Sequence, residues 1–307
     1  MTNAFLYLTV VLVWGSSWLM MKFQVGVVPP EASVIYRFAM AACLMFAWVL
    51  LRRLPLRFTL RQHALIALQG ALIFCTNYVL FYYATGYLTT GLIAVVMSTA
   101  SIMTMLLNAV WLRQPPQTLV MLGAAMGAGG IAVIFWPELA GLAAGGGAVL
   151  GLALSAAATF SFSAGAIIAG RNQAAGLSVR GTTAWAMFYG VALLTAFSLV
   201  RGTEVTFDPR FAYVASLMVL TILSTIIAFA CYFSLLARIG SDRAAYATVL
   251  FPVVALTLST LFEGYQWTGT ALTGVALTLA GNALVLAPGK PAGDRGDSSI
   301  ERGSRIA

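Results

Sequence analysis

Residues 64–84 read ALIALQGALIFCTNYVLFYYA, 21 positions without a charged side chain. A helix rising ~1.5 Å per residue crosses the ~30 Å hydrocarbon core of a bilayer in about 20 residues, so this stretch has the length and polarity of one membrane span. Lipid offers the backbone no hydrogen-bond partners; a helix satisfies its own N–H and C=O groups and an open strand does not. Working outward, nine further stretches have the same character: residues 4–21, 33–51, 92–112, 118–136, 148–170, 181–200, 211–236, 243–262 and 268–287. Of the 307 residues, 61% are hydrophobic and only 8% are charged. The expected fold class is an all-α membrane protein of ten transmembrane helices, with almost no chain left over for a soluble domain.

The first span is expected to be retained rather than cleaved as a signal, since nothing basic precedes it and no small-x-small site ends it. A net charge of +8 and a pI near 9.7 would point to nucleic acid in a soluble protein. Here the cations follow the positive-inside rule. With the N-terminus in the cytoplasm, Arg52, Arg53, Arg57, Arg61, Arg113, Arg171, Arg180, Arg238, Arg243, Lys290, Arg295, Arg302 and Arg305 fall on the cytoplasmic side. The opposite side receives only Lys22, Arg201 and Arg210, together with Glu31, Glu138, Glu204, Asp208 and Glu263, while Arg37 lies within the second span. Both termini are therefore expected in the cytoplasm. Cys43, Cys75 and Cys231 lie within spans and form no CxxC, and the sole histidine, His63, opens the third span, so neither residue type suggests a metal or redox centre.

A repeat is visible at one offset. Gly123 and Gly274 stand 151 positions apart, as do Gly130 and Gly281, and Ala94 and Ala245. The glycine-punctuated helix LGAAMGAGGIAVI from Leu122 matches TGVALTLAGNALV from Thr273. Each half then holds five spans, an odd number, so the second half enters the membrane from the opposite side: two inverted five-helix repeats, residues 1–136 and 137–287. Residues 288–307, rich in Gly, Ser and charge and free of aromatics, are expected to be a disordered cytoplasmic tail. Inverted repeats of this kind hold substrate near the midplane between the halves and alternate its exposure.

Polar side chains inside lipid are expensive, which makes each a candidate for function. Trp14, Ser17, Trp18 and Met21 share one face of the first span at i, i+3, i+4 and i+7. The two indoles, placed mid-span, either line a cavity or fill the bundle core. Asn77, Tyr78 and Tyr82 form a polar-aromatic stripe on the third span, read either as a surface for an amphiphilic solute or as helix-to-helix hydrogen bonding. Ser98, with Thr99 and Ser101, is a hydroxyl cluster on the fourth span; Ser161, Ser163, Tyr232 and Tyr246 are counterparts in the second half. Arg37 and Lys22 are read as a charge anchor for a substrate carboxylate or a gating pair (Arg37 with Glu31), or as cations snorkelling to the outer interface. Pro252 should kink the ninth span and serve as a gating point.

The opening VLVWGSSWLMMKF from Val11, the segment PPEASVIYRFAMA from Pro29, and the hairpin-plus-glycine-helix ends of both halves resemble the ten-helix, EamA-type drug/metabolite transporters over residues 4–287. Phe251-Pro252 followed by Glu263-Gly264 looks like the family's repeat ending, from which the first half departs with Ser101 and Leu112-Arg113 at the matching positions. Within the family the chain looks most similar to bacterial inner-membrane exporters of aromatic and other neutral amino acids. The resemblance implies an inner-membrane exporter of small neutral metabolites, with hydrophobic drugs or other metabolites as the alternative cargo.

Several classes are excluded by what the chain lacks. No GxxxxGK[ST] loop is present for nucleotide phosphates, and no HExxH or deep paired carboxylates for an intramembrane hydrolase. No run of pore-lining polar residues marks a channel. The expectation is a non-enzymatic carrier whose partners are a small-molecule substrate and the lipid bilayer, without nucleic acid, nucleotide, metal or cofactor. Facilitated diffusion or loose ion coupling is expected in place of a buried Asp/Glu relay. A monomer suffices for this scheme, and the oligomeric state is left open.

Overall fold

The computed structural model describes residues 2–112, 118–136, 147–232 and 247–286, and among these the regular structure is helical throughout. The helices are α1 (Asn3–Lys22), α2 (Pro30–Leu51), α3 (Leu60–Ala84), α4 (Thr90–Trp111), α5 (Thr118–Ile134), α6 (Gly147–Ala174), α7 (Val179–Val200), α8 (Phe211–Tyr232), α9 (Ala247–Phe262) and α10 (Gly269–Leu286). Seven of them, α1 to α4 and α6 to α8, are 20 to 28 residues long and apolar enough to cross a membrane; α5, α9 and α10 contain shorter apolar helices. The end of the eighth expected span, the start of the ninth, Ala245, Tyr246 and the expected tail lie outside the described residues.

Local chemistry sets the helix ends. Thr59 accepts a bond from the Gln62 N–H at 3.4 Å while the Gln62 amide oxygen accepts from the Thr59 N–H at 2.8 Å, a reciprocal pair that satisfies two otherwise orphaned donors at the start of α3. Pro30 opens α2 where a missing N–H costs nothing, with Glu31 in the first turn against the positive helix end. Gly176 and Gly202 follow α6 and α7 with φ of +78° and +66°, the left-handed conformation that turns the chain back onto the last carbonyls.

Two helices depart from α geometry at matching places. Residues Ala71–Thr76 of α3 and Val219–Ile227 of α8 are π-helical. The Asn77 N–H reaches the Leu72 carbonyl and the Ala228 N–H reaches the Leu223 carbonyl, both five residues back. These two bonds are related by the same 151-residue shift as the glycines, as are the starts of α3 and α8 (Leu60, Phe211) and of α5 and α10 (Thr118, Gly269). α4, expected as one continuous span, is interrupted at Thr99, where the Ser98 and Thr99 hydroxyls bond back to the Val95 and Val96 carbonyls at 2.7 Å. Such back-bonding competes with the helix ladder and bends it.

α5 and α10 pack through glycine. A Cβ on Gly274 would fall 2.5 Å from the Gly130 carbonyl oxygen, and one on Gly281 would fall 2.6 Å from that of Gly123. The residue order reverses between the helices, so they run antiparallel. Packing hides hydroxyls and amides within an apolar core and leaves apolar side chains on the outside as well. Ser33, Asn77, Ser155, Thr159 and Ser163 are buried, while Leu12, Leu44, Leu193 and Phe197 are exposed on the outer faces of their helices. Lipid tails make exposed leucine neutral and buried hydroxyls useful as helix-to-helix contacts.

Candidate functional site

The centre of the candidate site is built on α2, α3 and α8. Arg37 is 2% exposed. Its Nε and Nη2 groups point at the Thr225 hydroxyl oxygen at 3.4 and 3.3 Å, and its guanidinium lies over the rings of Tyr78 (4.7 Å) and Phe38 (5.2 Å). Thr225 sits in the π-helical stretch of α8 and donates its own proton to the Leu220 carbonyl, five residues back, at 2.9 Å. The snorkelling reading of Arg37 is thereby corrected: the side chain turns inward to a hydroxyl and two aromatic faces. The pairing of Arg37 with Glu31 is also not formed, because the Glu31 carboxylate accepts from the Tyr83 hydroxyl at 2.7 Å. Tyr82 lies beside Arg37 and donates to the Gln24 amide oxygen at 2.5 Å.

The aromatic face of α1 is divided among three neighbours, α8, α3 and α9. The Trp14 indole N–H donates to the Ser224 carbonyl of α8 at 3.2 Å, and its ring meets Phe229 at 5.3 Å and Tyr232 at 5.2 Å. On the opposite side the Ser161 hydroxyl of α6 reaches the Leu72 carbonyl of α3 at 2.8 Å. Each π-helical stretch thus gives one carbonyl to a donor on a neighbouring helix. Trp18 packs edge-on against Phe81 at 5.1 Å and stacks on Phe251, the residue before Pro252 within α9, at 6.2 Å. Ser17 bonds back to the Trp14 carbonyl at 2.7 Å.

Other candidates from the sequence make helix-to-helix hydrogen bonds instead of joining this centre. The Asn77 amide donates to the Ala158 carbonyl of α6 at 2.9 Å, and Ser163 donates to the Ala100 carbonyl of α4 at 3.1 Å. Ser98 accepts from the Asn282 amide of α10 at 3.0 Å. Each of the three thus makes a contact with a neighbouring helix.

At the Lys22 end of the bundle a second polar group forms. Lys22 donates to the Thr85 carbonyl at 3.0 Å and stands 4.0 Å from Glu263, whose other carboxylate oxygen accepts from the Thr90 N–H and hydroxyl at 2.9 and 2.6 Å. An open cavity of about 410 Å³ lies here, its wall including Lys22, Phe23, Tyr87, Phe262 and Glu263. In the loop between α7 and α8, Arg210 holds the Asp208 carboxyl below its ordinary range by hydrogen bonds from its side chain and backbone N–H. Among the described residues, no group of three or more His, Cys, Asp or Glu side chains is placed to hold a metal.

Sequence reading missed Gln24, Thr225 and the Glu263–Thr90 pair. Thr221, Ser224 and Thr225 carry a signal that was available, a hydroxyl stripe at i, i+3 and i+4 on an otherwise apolar span. Gln24 carried none, since a lone amide after a span reads as loop.

Comparison with known proteins places this architecture. Residues 1–136 and 149–287 match the model of the EamA-like transporter family. A protein of Salmonella typhimurium named "Probable amino-acid metabolite efflux pump" is 27% identical over 91% of this chain and 93% of its own length. Its namesake from Escherichia coli is 26% identical over 90% and 92%, and "Protein PagO" of Salmonella typhimurium is 24% identical over 85% and 84%. A solved crystal structure superposes with a TM-score of 0.64 at 18% identity, covering 92% of this chain and 95% of that one, which establishes a shared fold. With its apolar helices and these relatives, the chain is a multi-pass membrane protein and a transporter rather than an enzyme. It belongs to the EamA-like transporter family.

Proposed function

We propose that the chain is an inner-membrane secondary transporter that exports small neutral metabolites, above all aromatic and other neutral amino acids. It works by alternating access between two inverted five-helix repeats, residues 1–136 and 137–287, with both termini cytoplasmic. One observation carries the reading: contacts exchange under a 151-residue shift, Gly123 with Gly281 becoming Gly274 with Gly130. Antiparallel α5 and α10 are what a repeat inserted upside down requires. The two stretches that match the family model fall on the same halves. Such a pair of units has two related packings of similar energy, inward-open and outward-open, with the solute between them.

The π-helical stretches of α3 and α8 supply local give, because five-residue hydrogen bonds are weaker in geometry and free neighbouring carbonyls. Both border the Arg37–Tyr78–Tyr82 centre or its flanking helices. The side chains gathered there are aromatic with a few fixed polar atoms, the kind of surroundings that suit a solute with an apolar side chain and a polar head. The names of the Salmonella and Escherichia relatives support amino acids as cargo and efflux as direction.

Export is tested in bacteria that express the chain and are fed a phenylalanine-containing dipeptide, which cells hydrolyse internally. Faster release of phenylalanine than from vector-only cells supports the reading. Equal release, with the protein present in the membrane fraction, removes it and brings drug or other metabolite export forward.

A further inference from the structure

Arg37 presents five N–H donors in a planar fork and no acceptor. A buried cation without a counter-charge is costly, so an interior guanidinium is ordinarily paired with an anion. Here it is not. The two ion pairs among the described residues are Lys22–Glu263 and Arg210–Asp208, and neither involves Arg37. Its neighbours are one shared hydroxyl oxygen at 3.3–3.4 Å, long for charge-assisted bonds, the Tyr82 hydroxyl and two ring faces, all of them neutral.

A second, independent feature lies one side chain away. Gln24 is 1% exposed; its oxygen takes the Tyr82 proton, and its Nε2 amide has no hydrogen-bond partner. Tyr82 in turn lies within reach of Arg37. The chain Arg37–Tyr82–Gln24 is therefore rich in buried donors and short of acceptors. The position that follows Arg37 by 151 residues is Phe188, so the cation is not duplicated at the matching position.

We propose that this centre binds the carboxylate of the transported solute. The proposal deepens the amino-acid reading above and rests on it for the identity of that solute. The guanidinium fork meets a carboxylate at two points, and Gln24 Nε2 offers a further donor. The Tyr78 and Phe38 faces hold the guanidinium in place. The site selects a carboxylate head over an amine, amide or ester head on the same aromatic tail.

The test is equilibrium binding to the full chain in nanodiscs, with three probes of one tail: phenylalanine, 3-phenylpropionate (carboxylate without amine) and 2-phenylethylamine (amine without carboxylate). The wild type is expected to bind the two carboxylates at least ~10-fold more tightly than the amine, and Arg37→Gln to weaken them roughly 10- to 100-fold, the size of a lost bond to a charged group. Arg37→Lys keeps the charge and guards against a misfolded Gln variant. It lacks the bidentate fork, so it is expected to bind 3-phenylpropionate about 10-fold more weakly while leaving 2-phenylethylamine unchanged. A wild type without preference for carboxylate, or an Arg37→Lys variant that binds 3-phenylpropionate as the wild type does, overturns the anchor. If Arg37-dependent carboxylate binding is seen but cells release no phenylalanine, the anchor stands and the exporter reading falls.

Discussion

Gly130 and Gly274 meet backbone to backbone: a Cβ on either would lie 2.5 Å from the carbonyl oxygen of the other. A second contact of this kind, Gly123 with Gly281, lies seven positions along each helix. Contacts of this kind leave no room for a methyl group and depend on glycine in both halves.

Alanine at Gly274 should therefore force α5 and α10 apart and cost about 1–3 kcal/mol, as overpacking of a tight core does. Gly129→Ala is the control: its Cβ would sit 3.7 Å from Leu277, an ordinary contact, and should leave stability unchanged or raise it by up to about 1 kcal/mol. Thermal melting of the purified variants in detergent distinguishes them.

Asn77 donates to the Ala158 carbonyl, so Asn77→Ala is expected to lower stability by about 0.6–2 kcal/mol. The KM for transport should stay within about twofold if the amide contributes only this helix contact, whereas a substrate ligand would lose about 10-fold. Comparing melting temperature with transport kinetics on one preparation separates the two.

Glu263 receives the Thr90 N–H and hydroxyl at the N-terminal end of α4, where the helix dipole favours a negative charge. Glu263→Gln should cost about 0.3–1 kcal/mol for the lost charge at that helix end. Lys22 is 45% exposed and 4.0 Å from the carboxylate, so Lys22→Gln should cost less than about 1 kcal/mol and the double variant little more than Glu263→Gln alone. A double-mutant cycle by melting measures the coupling.

Asp208 titrates below its ordinary value of 3.8 because Arg210 stabilises the carboxylate. A lowered folded pKa means that its contribution to stability is fully present above 3.8 and is lost as pH falls below that value through the folded pKa. Asp208→Asn should remove that part of the acid dependence. Melting temperatures of the two proteins are thus expected to converge as pH falls below 3.8 and to differ at neutral pH.

The helices were legible because hydropathy over about 20 residues reports the solvent directly, and the 151-residue offset was legible because glycine is hard to replace where backbones touch. The interruption at Thr99 and the π-helical stretches were not. A five-residue hydrogen bond leaves no mark on an apolar run such as ALIFCT, and only the pairing of Asn77 with Leu72 reveals it. Arg37 was legible as a rare charge, but its inward turn depends on Thr225, which is 188 residues away in sequence. Asn77, Ser98 and Ser163 show the same limit: a polar side chain in lipid needs a partner, and whether that is a solute or a helix is decided by packing across the bundle.

The most direct measurement is uptake of labelled phenylalanine into liposomes holding the purified chain, beside a Tyr78→Ala/Tyr82→Ala variant that strips the aromatic wall and the hydroxyl from the Arg37 centre. The account predicts saturable uptake that the variant loses. Uptake no greater than in empty liposomes, from protein that melts cooperatively, would contradict it.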